Sequence, residues 1–244
     1  MRRVLAFILT MALAWSLAAC TPRNDGASEN PAVVETPQRS TGGQENNLAT
    51  PETADQGATG NGENILIAYF TMPENVDTSG VDAVAGASIV VRDGEAMGNV
   101  AYMASIIQET VGGDLFPIET VEQYPREHDA LVDQAAEEQD EDARPALAIQ
   151  LENLEQYDTV FLGYPNWWGD MPQALYSFLE EYDFSGKTII PFCPHGGSGF
   201  SQTEATIAAL QPNATVSKNG LAISCNDVAE SGDEIAAWAS SLGL

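Results

Sequence analysis

Two loops of this chain hold residues whose types could do chemistry together. The first is Gly163-Tyr164-Pro165-Asn166-Trp167-Trp168-Gly169-Asp170-Met171-Pro172; the second is Cys193-Pro194-His195-Gly196-Gly197-Ser198-Gly199-Phe200. Adjacent tryptophans set between proline and glycine, outside any periodic segment, offer a flat aromatic wall. A run of glycines leaves backbone amides that a ligand can approach closely. Wall and amide surface together suit a planar, heteroatom-rich ring system. A third group, Gly98-Asn99-Val100, opens a helical segment, and free amides at a helix N-terminus suit a phosphate. His195 offers either a proton at this site or a hydrogen bond that holds its own loop. The tryptophans have a plain alternative as packing residues at the sheet edge. The other histidine, His128, falls in a distant helical stretch, so no zinc set is expected. No Gly-x-Ser-x-Gly run and no cysteine nucleophile signature is present.

The segments around these loops say what positions them. Continuous apolar runs at residues 65–70, 115–118, 159–164, 188–193 and 221–225 read as strands buried on both faces. Between them lie amphipathic stretches. Residues 100–111 end at Gly112-Gly113, residues 172–182 begin with proline, and residues 201–210 and 232–242 complete the set. Residues 127–156 are helical in composition but broken at Pro145. Alternating strands and helices predict one doubly wound α/β domain, residues 64–244, with a five-stranded parallel sheet covered by helices on both faces. Ligands of such a sheet gather at the carboxyl ends of its strands. One connection is irregular: residues 72–97 separate the first strand from its helix and include Ser88-Ile89-Val90-Val91-Arg92, an extra strand or hairpin.

These residues resemble the flavodoxin-like family, in particular its bacterial lipoprotein type. The resemblance is carried by Ile67-Ala68-Tyr69-Phe70-Thr71, Gly98-Asn99, the Gly163–Pro172 loop, Phe184-Ser185-Gly186-Lys187 and the Pro191–Gly199 segment. It implies strand order 2-1-3-4-5 and FMN as cofactor. Thr71 and Gly98-Asn99-Val100 would hold the phosphate. Pro165, Asn166, Trp167, Trp168 and Gly169 would line one side of the ring, and Pro194, His195, Gly196, Gly197, Ser198, Gly199 and Phe200 the other. His195 would be the candidate proton donor to reduced flavin or substrate. The chain departs from the pattern where the insertion splits the phosphate loop and Val100 stands in place of a threonine. Only Arg92, from the insertion, could bring a cation there. In that strand order the strands ending in Cys193 and Cys225 are neighbours, so a disulfide between them is expected.

The N-terminus adds an address. Met1-Arg2-Arg3, the apolar stretch 4–14 and Leu17-Ala18-Ala19-Cys20 resemble a bacterial lipoprotein signal. Residues 1–19 would be removed, Cys20 lipidated, and residues 20–63, rich in Pro, Gly, Ser and Thr, would form a disordered spacer. The expected location is therefore extracytoplasmic and lipid-anchored, with the membrane reached through that lipid only.

Charge closes off other classes. Nine Lys and Arg face 36 Asp and Glu, a formal net charge of −27, which disfavours nucleic acid. The acidic run Glu137-Glu138-Gln139-Asp140-Glu141-Asp142 reads as a solvated helix face or as a docking surface for a basic redox partner. The expected function is FMN-dependent electron transfer. The alternatives are a flavin-dependent reductase acting on a quinone-like small molecule and a non-catalytic cell-surface binding module with a degraded flavin site.

Overall fold

The computed structural model describes residues 64–79, 83–84, 86 and 88–244. The expected signal peptide, the expected lipidation site Cys20 and the expected spacer lie outside the described residues. Among those described, no helix is long and apolar enough to cross a membrane.

Strand β1 (Ile65–Tyr69) is the centre of a parallel sheet with β5 (Asp114–Pro117) on one side and β6 (Thr159–Gly163) on the other. Strand β7 (Thr188–His195) follows β6. The far side of β7 carries two short strands, β8 (Thr215–Val216) and β9 (Leu221–Ser224). The order β5-β1-β6-β7 with β8 and β9 in the last place realises the expected 2-1-3-4-5 arrangement, with its edge strand broken in two.

The break has a chemical cause. The carbonyls of Ile189 and His195 accept from Ser217 and Cys225, so odd-numbered residues of β7 turn their backbone groups toward that edge. Pro191 falls in the same alternation and has no N–H to give. The edge strand detours there. Gly220 carries the detour, because a Cβ on it would stand 2.8 Å from the Pro191 carbonyl oxygen.

Alternation along each strand feeds two apolar layers. Ile65 and Ile67 of β1, Phe161 of β6 and Phe192 of β7 pack under α1 (Asn99–Val111) and α5 (Gly232–Ser241). Leu66, Ala68, Leu162 and Ile189 pack on the opposite face under α3 (Gln173–Glu181), with Leu131 of α2 (His128–Asp140) and Ile207 of α4 (Thr203–Leu210). Gly163 ends β6 where a side chain could not: a Cβ there would lie 2.2 Å from the Phe192 ring. Helix α1 stops at Gly112, whose φ of 78° lets its N–H return to the Gln108 carbonyl at 2.9 Å.

The long connection after β1 folds into a second sheet of β2 (Ala83–Val84), β3 (Ile89–Arg92) and β4 (Glu95–Gly98), all antiparallel. Asp93 and Gly94, at φ 54° and 84°, make the two-residue turn between β3 and β4. Strand β4 then runs into α1 without a loop, Gly98 being both its last residue and the helix N-cap. Helix α2 ends at Asp140, ahead of Pro145, and residues 141–153 are irregular.

The expected Cys193–Cys225 bridge is not formed; both thiols are free. The register explains why. Cys193 pairs with Ala222, three residues short of Cys225. Cys193 is sealed in the layer under α3, whereas Cys225 approaches Asn99 at the start of α1. Neighbouring strands supplied proximity of backbone without the facing Cβ atoms a bridge needs. Burial, with the charge of the other cysteine behind it, pushes the Cys193 thiol well above its ordinary pKa; burial also raises Cys225.

Candidate functional site

The carboxyl ends of β1, β6 and β7 open on one side of the sheet, and the loops leaving them meet there. In the first loop, Trp167 and Asp170 exchange backbone hydrogen bonds at 2.8 and 2.9 Å, closing a turn with Trp168 at φ 53° and Gly169 at φ 80°. Two positive φ values in succession define a turn that glycine and asparagine favour, so Trp168 is held in a strained conformation. The turn sends the two tryptophans opposite ways. Trp167 packs edge-on against Phe70 and Tyr124, ring centroids 5.5 and 5.7 Å away. Trp168 lies out on α2, 61% exposed, and its Nε1–H donates to the Val132 carbonyl at 3.3 Å.

Asn166 ties this loop to the next. Its backbone N–H donates to Pro194, its Nδ2 to the Gly199 carbonyl at 2.9 Å and to Ser201 Oγ at 3.0 Å, and its Oδ1 accepts from Gly169 at 3.1 Å. Its side chain is fully used inside the protein, so Asn166 is a brace that sets the two loops at a fixed distance. In the second loop the Gly197 N–H donates to His195 Nδ1 at 2.9 Å. That bond uses His195 Nδ1 to hold its own loop.

Between these loops, α2 and the small sheet lies a cavity of about 420 Å³, within the range of small-molecule sites. Of the residues expected at the site, Asn166, Trp167, Trp168 and Gly196 line it, and His195 does not. Pro165 and Pro194 are buried beneath it. Gly169, Gly197, Ser198, Gly199 and Phe200 shape the loops without lining the space. Val100 is a core residue under α5, 2% exposed, so only its backbone could meet a ligand.

Thr71, Gly98 and Asn99 do come together at the start of α1. A Cβ on Gly98 would stand 2.0 Å from Thr71 Oγ1, so only glycine permits that approach. Thr71 Oγ1 and both amide atoms of Asn99 are buried without a hydrogen-bond partner. Buried polar atoms are nearly always paired, so three orphans in adjoining residues mark a place built for something else. One of the free amides at the helix terminus is spent: the Asn99 N–H donates to the Ser88 carbonyl at 2.8 Å. Arg92 is withdrawn, its guanidinium bonding Ser105 and Glu109 along α1.

Several lining residues escape sequence reasoning. Glu74 and His128, 54 residues apart, form a pair at 2.8 Å on the cavity wall. Its hydrogen bond and charge hold His128 above the ordinary imidazole value. Met72, Leu131 and Val132 add apolar wall, and Ser88, Cys225 and Asn226 line the side toward α1. Composition gave no hint of the Glu74–His128 pair, whereas the Asp93-Gly94 turn, which places Ser88, is a readable hairpin signal.

The flavodoxin family model matches residues 88–242, well over half of the chain. The chain belongs to the flavodoxin family. Among solved structures, this flavodoxin is similar to a Bacteroides eggerthii protein assigned as a flavoprotein, at 26% identity and TM-score 0.54, covering 74% of this chain and 98% of that one. It also resembles a second such protein from Bacteroides uniformis, at 25% identity and TM-score 0.49, covering 69% and 97% of the two chains. A flavoprotein of Lactobacillus acidophilus, solved in complex with FMN, matches at 16% identity and TM-score 0.47 over 69% of this chain and 97% of that one. No curated protein matches the chain.

Proposed function

We propose that this flavodoxin binds FMN in the cavity at the carboxyl ends of β1, β6 and β7 and carries electrons. The observation that supports it most is the cavity itself, about 420 Å³, with Trp168 on one wall and the Gly196 backbone on another. The chemistry of the wall fits the group. An indole face and a side-chain-free backbone suit a flat ring, while Thr71 and Asn99, with their orphaned atoms at the start of α1, are not among the lining residues. Bound flavin would supply the one- and two-electron chemistry. The chain's own residues position and exclude. Asn166 fixes the spacing of the two loops, Trp167 anchors the first loop in the core, and Met72, Leu131 and Val132 keep water from the wall.

Electron carriage rather than turnover of a small substrate is favoured by charge. Helix α2, which lines the cavity, also carries exposed Glu137 and Asp140 with Glu141 and Asp142 just beyond, on a protein of net charge −27. A basic redox partner would be steered toward that helix. The N-terminal sequence supports a lipid anchor on Cys20 outside the cytoplasm, with residues 20–63 as the tether. Fluorescence titration with FMN tests binding: quenching that saturates at one equivalent supports the reading, and unchanged fluorescence sinks it. With FMN bound, NAD(P)H:quinone turnover should be near zero; rapid turnover would replace the carrier by a reductase.

A further inference from the structure

We infer that His128 takes up a proton when the bound flavin takes up an electron and releases it when the electron leaves, with Glu74 as the positioning residue that fixes which ring nitrogen does so. This rests on the flavin reading above. An electron delivered into a cavity adds negative charge where little water screens it, and a wall group that can turn positive offsets that charge. Among the described residues, no lysine or arginine lines the space. The titratable side chains that do are Glu74, His128 and Cys225. Neither a carboxyl nor a thiol can become cationic. His128 is the group left, and imidazole is the side chain whose ordinary pKa lies close to neutral pH. His195 does not line the cavity, and its Nδ1 accepts from Gly197 within its own loop.

The geometry of the pair divides the roles. A carboxylate only accepts, so across the 2.8 Å contact His128 Nδ1 carries the hydrogen and Glu74 Oε1 receives it. Nε2 is then the nitrogen that gains and loses the proton. The Glu74 side chain is 9% exposed and that of His128 62%. A buried carboxylate thus holds a ring that meets both the cavity and bulk water, so protons come and go without a relay. A second tie fixes the two segments: the Asn75 N–H donates to the Arg126 carbonyl at 2.9 Å, beside each partner of the pair. The charged groups acting on His128 are Glu74 from the loop after β1 and Asp129 on its own helix, and both favour the protonated ring. Arg126 and Glu127 precede it in the chain, and Cys225 is the titratable group on the side toward α1. The exchange balances: one electron arrives from the redox partner, one proton leaves water for Nε2, and both depart on reoxidation.

The test uses the full chain loaded with FMN and desalted, with the His128 ring followed by NMR across pH in the oxidised and the dithionite-reduced protein. The His128 midpoint is expected to rise on reduction by about half a pH unit to one unit, the size of a charge interaction in a partly exposed cavity. Between the two midpoints the reduction potential should carry an extra pH dependence, and His128→Gln should abolish it while FMN stays bound. Glu74→Gln should lower both midpoints together, moving that window to lower pH. An unmoved His128 midpoint in a protein that keeps its FMN, or an unchanged potential-against-pH profile in His128→Gln, would overturn the inference and leave the flavin reading intact. Midpoints unchanged in Glu74→Gln would overturn the positioning role of Glu74. A protein that loses its FMN on desalting would overturn the flavin reading and this inference with it.

Discussion

At the scale of single residues, Trp168 separates stability from binding. Its positive φ costs conformational energy that its indole does not recover by burial, since the side chain is 61% exposed. Trp168→Gly is therefore predicted to leave the melting temperature equal or higher while weakening flavin binding by up to about tenfold, the worth of one aromatic contact. A large drop in melting temperature would show that the indole is a packing residue. His128 makes a second test. Its pKa is raised by Glu74, so the pair's contribution to stability is complete below the ordinary value of 6.5 and is lost as pH rises through the raised one. NMR titration should place the His128 midpoint above 6.5 and return it toward 6.5 in Glu74→Gln. A midpoint at or below 6.5 in the parent would contradict the ion pair.

At the scale of elements, the sheet was legible and its edges were not. Parallel strands buried on both faces are written as continuous apolar runs, so β1, β6 and β7 stand out from their residues alone. The splitting of β8 from β9 depends on which way Pro191 faces, and that is a matter of register. Register also undid the disulfide: Cys193 and Cys225 sit on adjacent strands, but three positions and one face apart. Both tryptophans line the cavity, yet their opposite fates depend on the turn closed by Trp167 and Asp170. The Glu74–His128 pair had no sequence signal, because nothing local links residues 54 apart. One prediction belongs to the sheet itself. Gly163→Ala drives a methyl into the Phe192 ring and should cost about 1–3 kcal/mol by overpacking, read as a lower denaturation midpoint with an unchanged slope. An unchanged midpoint would mean that Phe192 can retreat and that the layer under α1 is looser than its contacts imply.

At the scale of the whole molecule, charge dominates. A net charge of −27 on 244 residues makes self-repulsion a standing cost of the compact state. Raising ionic strength should therefore raise the melting temperature until screening is complete, and a fall with salt would mean that attractive ion pairs outweigh the repulsion. Arg144, which bridges Asp142 and Glu180 and lies over Tyr176, is where such attraction is concentrated. On the proposed function the same charge would select an electron acceptor or donor with a basic face, met near α2. Everything proposed for the molecule nevertheless depends on whether its cavity holds a flavin. The visible absorption spectrum of the protein, recorded after incubation with FMN and desalting, tests that most directly. Flavin bands that stay with the protein, shifted from those of free FMN, are the predicted result; a colourless protein fraction would contradict it.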